Sequence, residues 1–397
     1  MVTAAFPPMK VGGADYALRL CQRLAERGLE VDVITSDLAG IATDARLRIA
    51  PIMRDWSWRE LPRLLAQIQR STPDVVDIHF HGRFYGNHPM VTFLPSLIKR
   101  RWPGLRVVTH IEWPIGVPGE GRSTVSRIVR RAVIAWVGRA DVSYGFGTLL
   151  RDSDAVIVLS DTHRVMLEEE FARIGEKVVL IPPPPLMLMA EKGDGAARRE
   201  GRTLLHADAE DFVVAYFGYL YPRKGVETLL EALRLVGQQR SHVRLVMIGG
   251  SLNDPNRPHY RDELTQRAAD LGIAGAVTWT GYYPTDSNIA SLYLRAADCC
   301  VLPFDLGVYL NNSSFAAAMA HGLPTITTPG DPLEPPFRAG ENVLFCEPKD
   351  PASLAHAIES LIASAELRGR LHAGALAFAA EWFSWDRVLD RTIATFR

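Results

Sequence analysis

Between Cys299 and Thr328 the chain reads CCVLPFDLGVYLNNSSFAAAMAHGLPTITT, an order of segments that few folds accommodate. An apolar strand over Cys299 to Pro303 leads through a polar loop of Asn311, Asn312, Ser313 and Ser314 into an alanine-rich helix closed by His321 and Gly322, and a second strand, PTITT, follows. Strand, loop, helix and strand predict a βαβ unit. Its loop falls at the carboxyl edge of the sheet, where open α/β sheets take their ligands. Asn or Ser is a natural N-cap, and the unbonded N–H groups behind it favour an anion such as phosphate. Capping a buried helix would by itself account for these residues, so the neighbouring segments have to decide.

Upstream, VVAYFGYLYPRKGVETLLEAL gives an apolar strand ending at Gly218, a loop with Arg223 and Lys224, and Gly225 opening a helix. Val226, Leu229, Leu230 and Leu233 fall on one face of that helix. Basic groups beside a helix N-terminus make a second place for phosphate. Two more strands follow, VRLVMIGG ending in Gly249 and Gly250, and VTWTGYYP, each ahead of a helical segment. The second half of the chain is therefore expected to be a doubly wound parallel sheet.

The first half repeats the alternation. MVTAAF is a strand, Gly12 and Gly13 stand before an amphipathic helix carrying Leu18, Leu20 and Leu24, and a strand runs from Glu30 to Ser36. A glycine pair there lets the backbone approach a ligand, although glycine pairs also make ordinary turns. LRIAPI is a strand, Trp58 to Arg70 a helix, and DVVDIHFHGRFYGNH a strand ending in a histidine-rich loop. His79, His81 and His88 invite a zinc reading, but no cysteine or carboxylate completes the set, and no metal is expected. RVVTHIEWP ends a strand at His110 with Glu112 just behind it, and DAVIVLS ends another at Ser160 ahead of a helix from Thr162 to Arg173. Asp152 and Asp154 resemble a metal-binding pair but precede a strand where such a pair should end one.

Composition excludes several classes. With 397 residues, 47% of them hydrophobic and 22% charged, the chain has core enough for two or three domains. A formal charge of −1 gives no reason to expect nucleic acid as a partner. Four cysteines, Cys21, Cys299, Cys300 and Cys346, lack metal-ligand spacing and read as buried reduced thiols in a cytoplasmic protein. No apolar run of about 18 residues marks a membrane span, and no signal peptide is evident.

Taken in order, the basic loop ending in Lys-Gly, LVMIGG, TGY, AADCCVLP and AAAMAHGLPTITT resemble the C-terminal domain of retaining glycosyltransferase family 4, which has the GT-B fold. Ala318, Met319, Ala320, Gly322 and Pro324 match the family signature Glu-Ala-Met-Ala-x-Gly-x-Pro. The resemblance covers nearly the whole chain. It implies two Rossmann-like domains facing a cleft: residues 1–182, a linker over 183–202 after the proline run Pro182 to Pro185, a nucleotide-sugar domain over 203–380, and a crossover helix over 381–397 returning to the first domain.

It also implies transfer of a sugar from a nucleotide-diphosphate sugar to an acceptor hydroxyl of a glycan, glycolipid or small molecule, with retention and no metal or other cofactor. Donor contacts are expected at Gly12, Gly13, Gly218, Tyr219, Arg223, Lys224, Gly249, Tyr309, Asn311, Asn312, Ser313 and Ser314. His110 corresponds to a histidine that faces the donor sugar, and Glu112 is a candidate general base. His81, Arg83, Tyr85 and Asn87 are expected to touch the acceptor, whereas His79 reads as a satisfied strand residue.

Three departures stand out. The family's two glutamates fall at Tyr309 and Ala317, its Gly-Arg-Leu loop reads Gly218, Tyr219, Leu220, and its Pro-Asn-Gly is replaced by prolines. The family's first strand usually has further apolar residues upstream of the position of Met1, so a longer natural strand is expected. A noncatalytic binding protein and a sugar-nucleotide 2-epimerase remain open at this point.

GRSTVSRIVRRAVIAWVGR, Gly121 to Arg139, sets Val125, Ile128, Val129, Ala132, Val133 and Trp136 on one face with arginines at its edges. The expected arrangement is a helix packed on its sheet with a solvated basic face. The other reading is peripheral contact of residues 122–139 with the inner face of a membrane.

Overall fold

Runs such as VVAYF and VVTHI carry apolar residues toward both faces, and both become central strands buried on both sides. The computed structural model describes residues 1–41, 43–116, 124–143, 145–171, 174–191, 193–251, 259–284 and 286–397. The chain forms two compact units, one of Met1–Pro182 with Asp386–Arg397, the other of Pro183–Trp385.

The first unit runs β1 (Val2–Thr3), α1 (Gly12–Glu26), β2 (Val31–Ser36), β3 (Leu47–Met53), α2 (Leu61–Ser71), β4 (Val75–Phe80), α3 (Leu94–Arg101), β5 (Arg106–Ile111), α4 (Thr124–Val137), α5 (Leu149–Asp152), β6 (Ala155–Val158), α6 (Asp161–Glu170) and β7 (Val178–Leu180). Its seven strands are all parallel, in the order β3-β2-β1-β4-β5-β6-β7. The second unit runs α7 (Asp194–Leu204), β8 (Phe212–Phe217), α8 (Val226–Gly237), β9 (Val243–Ile248), α9 (Tyr260–Asp270), β10 (Val277–Gly281), α10 (Ile289–Ala296), β11 (Cys299–Leu302), α11 (Ser313–Ala320), β12 (Thr325–Thr327), β13 (Leu344–Phe345), α12 (Pro351–Ala363) and α13 (Ala365–Trp382). Its parallel sheet has the order β10-β9-β8-β11-β12-β13. A last helix, α14 (Trp385–Thr395), returns to the first unit, where Arg27 pairs with Asp386 and Asp390 and the Arg106 Nε donates to the Thr395 carbonyl at 2.6 Å.

In both sheets the strand order reverses once, between β1 and β4 and between β8 and β11. A doubly wound sheet opens a crevice beyond the strand ends at such a reversal, because the flanking connections leave to opposite faces. The Gly12–Gly13 pair and the histidine loop follow β1 and β4; Gly218 and the Asn311–Ser314 loop follow β8 and β11.

Several sequence expectations need correction. Gly12 and Gly13 are the first two residues of α1, and Leu18 is only half-buried while Ala14, Tyr16, Ala17, Leu20, Cys21 and Leu24 face the core. Helix α2 starts at Leu61 because Pro62 suits only the first turn, leaving Trp58 in the preceding loop. Residues 183–202 are no bare linker, since α7 packs on α10 through Ala197 and Leu292. Positions 172–173, at the end of the helix expected up to Arg173, lie outside the described residues. All four cysteines are buried and unpaired by disulfides.

The largest correction concerns α4, whose expected start at 121–123 also lies outside the described residues. It does not bury its apolar stripe on the sheet: Val125, Ile128 and Trp136 are 69%, 59% and 54% exposed, and only Ser126 and Val137 are buried. Val137 joins Phe93 and Leu97 in a small cluster, against which Val133 and Ile134 lean.

Candidate functional site

The carboxyl edge of the second sheet is shaped by glycine. Gly225 has φ +70°, and a Cβ there would overlap the Pro303 carbonyl oxygen, so the loop carrying Arg223 and Lys224 lies directly on the end of β11. Gly249, at φ +138°, similarly lets the end of β9 rest against the Gly218 carbonyl. Lys224 is half-buried, its ammonium 4.9 Å from the ring centre of Tyr221 and 4.5 Å from that of Phe304. Aromatic faces hold a cation without neutralising it, and no carboxylate among the described residues pairs with Lys224 or with the exposed Arg223.

Helix α11 starts at the end of β8, where Ser314 lies against Gly218. Asn312 occupies its N-cap position but makes no side-chain cap, because its Oδ1 accepts instead from the Tyr309 N–H at 2.7 Å. The first backward bond of the helix runs from the Ala316 N–H to the Asn312 carbonyl at 3.0 Å. The amides of Ser313, Ser314 and Phe315 therefore have no protein acceptor among the described residues. Open amides at the positive end of a helix are a seat for an anion. Ser314 is buried, with its Oγ 3.2 Å from where a Gly218 Cβ would be, which ties this seat to the end of β8.

Tyr309 is half-buried, with its hydroxyl bonded to the Asp331 backbone at 3.3 Å and 3.2 Å; Ala317 is wholly buried. Glu334, which nothing local in the sequence singles out, is buried, and its Oε2 accepts from the Leu310 N–H at 2.6 Å, bracing the loop from the far side.

The first sheet presents a different edge. Pairing of β4 with β5 sets His79 directly beside His110, with the rings stacked at 4.2 Å and Tyr16 of α1 packed against both. Asp77, two residues back on the same strand face, is 3.4 Å from His79 Nε2 and 3.3 Å from His110 Nε2. The other nitrogen of His79, Nδ1, lies 3.4 Å from Glu112 Oε1. A Cβ on Gly13 would overlap the second Glu112 oxygen, so this carboxylate sits at the N-terminus of α1.

Burial by itself would raise Asp77, but the facing imidazoles of His110 and His79 outweigh it and bring the carboxyl down to about 2. Burial would pull His79 down, yet Asp77 and then Glu112 hold it protonated up to about 9. His110, wholly enclosed, is pushed down to about 3. Burial also lowers His81, against the pull of Glu112.

Asp77, His79 and His110 have their ligand-type atoms within 4.8 Å of one another, the one such group among the described residues. The imidazole planes are only 16° apart, however, so their in-plane lone pairs run side by side and do not converge on one ion.

Residues 11–184 match the family described as Glycosyltransferase Family 4, and residues 211–364 match Glycosyl transferases group 1. A D-inositol 3-phosphate glycosyltransferase of Acidothermus cellulolyticus is 26% identical, covering 100% of this chain and 89% of that relative. The chain is a family 4-like glycosyltransferase. Its GT-B fold is shared with sucrose-phosphate synthase from Thermosynechococcus elongatus, TM-score 0.69 at 19% identity, covering 100% of this chain and 97% of that one. It is shared equally with Anabaena HepE in complex with UDP and glucose, TM-score 0.69 at 16% identity, covering 99% and 97%.

In this glycosyltransferase the expected donor residues of the second unit do gather at one strand reversal, and Gly12, Gly13, His81 and Glu112 gather at the other. Two expectations fail. His110 is 0% exposed, because it lies one residue inside β5 with its ring against His79, and so presents nothing to a ligand. Tyr85 is 1% exposed, its hydroxyl donating to the His79 carbonyl at 2.7 Å and its ring edge-on to Trp56, so it is a core residue and no acceptor contact. Arg83 is exposed and Asn87 half-buried at φ +53°; His81 stacks on Phe84 at 4.3 Å. Asp77 and His79 went unseen as partners of Glu112, since only the β4–β5 register brings them together.

Proposed function

We propose that the second unit binds a nucleoside-diphosphate sugar through its diphosphate, between Lys224 and Arg223 on one side and the amides of Ser313, Ser314 and Phe315 on the other. The observation that carries this reading is the uncapped start of α11 at the strand reversal. When the C1–O bond to phosphate breaks, negative charge builds on the leaving diphosphate, and preplaced cations and amides stabilise it more than they stabilise the bound donor. The acceptor oxygen forms the new bond to C1 on the face the phosphate leaves, and its proton passes to a phosphate oxygen. Retention and independence of metal are part of the proposal. With glutamate absent at 309 and 317, the sugar itself would be recognised by other groups, Tyr309 among them.

The acceptor is proposed to be met at an anionic membrane surface, on the inner face. Support comes from α4, which exposes Val125, Ile128 and Trp136 while residues 124–140 contain four arginines and no acidic residue. An amphipathic helix of this composition lies in the headgroup region of an anionic bilayer. No helix among the described residues is long and apolar enough to cross a membrane.

The test is product formation from UDP-, GDP-, ADP-, CDP- and dTDP-linked sugars, followed by mass spectrometry, with D-inositol 3-phosphate or phosphatidylglycerol-containing vesicles supplying acceptors. Transfer from one donor class, unaffected by EDTA, is expected. No release of nucleoside diphosphate from any donor contradicts the reading, and loss of turnover with EDTA contradicts its metal independence.

A further inference from the structure

The charged chain at the edge of the first sheet belongs to the first unit, whereas the proposed donor-phosphate site belongs to the second. Three of its members, Asp77, His79 and His110, are at least 95% buried, and the Glu112 side chain is 8% exposed. Groups this enclosed are rarely charged without a purpose or a partner. The groups facing the imidazole of His79 are Asp77 from its own strand, His110 from β5, Glu112 after β5, and Tyr16 from α1. The amino terminus also acts on Asp77, and Asp77 in turn acts on the buried thiol of Cys21 in α1. Neither Asp77 oxygen has a well-aligned hydrogen-bond partner, nor does His79 Nε2 or either nitrogen of His110. The set is thus held by charge more than by aligned hydrogen bonds.

Polarity runs one way along it. Asp77 is buried on its strand, His79 stands between two carboxylates, and Glu112 ends the chain beside Gly13 in the first turn of α1. Val11, at the N-cap position of α1, makes no side-chain cap, and Glu112 joins the buried Asp15 of the first turn as an anion at this helix start. We propose that Asp77 and His79 are positioning residues of the transfer reaction, holding the Glu112 carboxylate over the N-terminus of α1 to accept a hydrogen bond from a substrate hydroxyl. This rests on the sugar-transfer reading only for the identity of that hydroxyl. His110, neutral and stacked on His79, keeps the imidazole plane fixed. Glycine at position 13 leaves room for this arrangement, because a Cβ there would take the place of the Glu112 carboxylate oxygen unless that side chain moved.

The proposal makes His79 the titrating link. With its pKa raised to about 9 by Asp77, the imidazolium is intact below neutral pH and is lost as pH rises through about 9, leaving Glu112 without its counter-charge. Asp77→Asn removes the charge that sustains it, so His79 should then titrate at least one unit lower. His79→Gln keeps an amide N–H toward Glu112 and cannot titrate.

Two measurements on the full chain decide the matter. In the first, the protein carrying 13C-labelled histidine is titrated by NMR from pH 5.5 to 10, with His79→Gln identifying the resonance. A His79 signal moving between pH 8 and 10, and shifted down in Asp77→Asn, supports the proposal; titration below pH 7 in the wild type overturns it. In the second, nucleoside diphosphate release from the UDP-, GDP- and ADP-glucose panel is followed over the same range. An alkaline fall in kcat/KM that moves to lower pH in Asp77→Asn and disappears in His79→Gln supports positioning. An alkaline limb identical in all three proteins overturns it. If no donor is consumed at all, the sugar-transfer reading fails, and the titration alone decides whether the chain exists.

Discussion

At the carboxyl edge of the second sheet, no carboxylate among the described residues pairs with Arg223 or Lys224, whereas at the same edge of the first sheet the enclosed groups Asp77, His79 and Glu112 face one another with opposite sign. Lys224 lies over two aromatic rings and α11 begins uncapped. Asp77, His79 and Glu112 alternate in sign, and Glu112 itself occupies the start of α1. The same fold therefore yields an edge prepared for a foreign anion and an edge that already carries its own. A diphosphate would meet complementary charge in the second unit and a carboxylate in the first.

The contrast can be broken most severely at Lys224. Lys224→Ala is expected to lower turnover at least tenfold, about 1.4 kcal/mol of barrier, with the fold intact by circular dichroism; steady-state kinetics on the active donor reads this. Gly225→Ala comes next. It puts a Cβ against the Pro303 carbonyl in left-handed backbone, and should cost about 1–3 kcal/mol, read as a lower urea midpoint.

Charging the apolar stripe tests the surface that neither edge explains: Val125→Glu with Ile128→Glu should weaken sedimentation with phosphatidylglycerol vesicles about tenfold and leave stability unchanged, because both side chains are already exposed. The smallest effect is on the first unit's own charge. Since folding raises His79 from 6.5 to about 9, its contribution is complete below pH 6.5 and declines as pH rises to 9. Urea unfolding at pH 6 and pH 9 should show that loss in the wild type and less of it in His79→Gln.

The second edge could be read from sequence because its parts are local. Gly218, the Arg223-Lys224-Gly225 loop and the Asn311–Ser314 loop each follow an apolar strand, and a parallel strand buried on both faces announces itself as a continuous apolar run. What the strings could not convey was the direction of a side chain. Asn312 has the chemistry of a cap but turns to Tyr309, and that turn is what leaves the helix open. The first edge depends on register. Asp77 and Glu112 are 35 positions apart in the chain and meet through His79 only because β4 pairs with β5 residue for residue. His110 was expected to face the donor sugar because it matches the family's histidine at this strand end, yet its ring is buried against His79 and Tyr16. Tyr85 was similarly misjudged, since a loop tyrosine can fold back to cap a strand carbonyl. Helix α4 shows the reverse case: its pattern fits packing on a sheet, and only the structure shows Val125, Ile128 and Trp136 left exposed.

The most direct test of the account is calorimetric titration of UDP, GDP, ADP, CDP and dTDP into the wild type and into Lys224→Ala. Selective binding of one base class, weakened at least tenfold by the substitution, is the predicted result. Binding that the substitution leaves unchanged, or no binding of any diphosphate, would contradict the assignment of the second edge as the donor site.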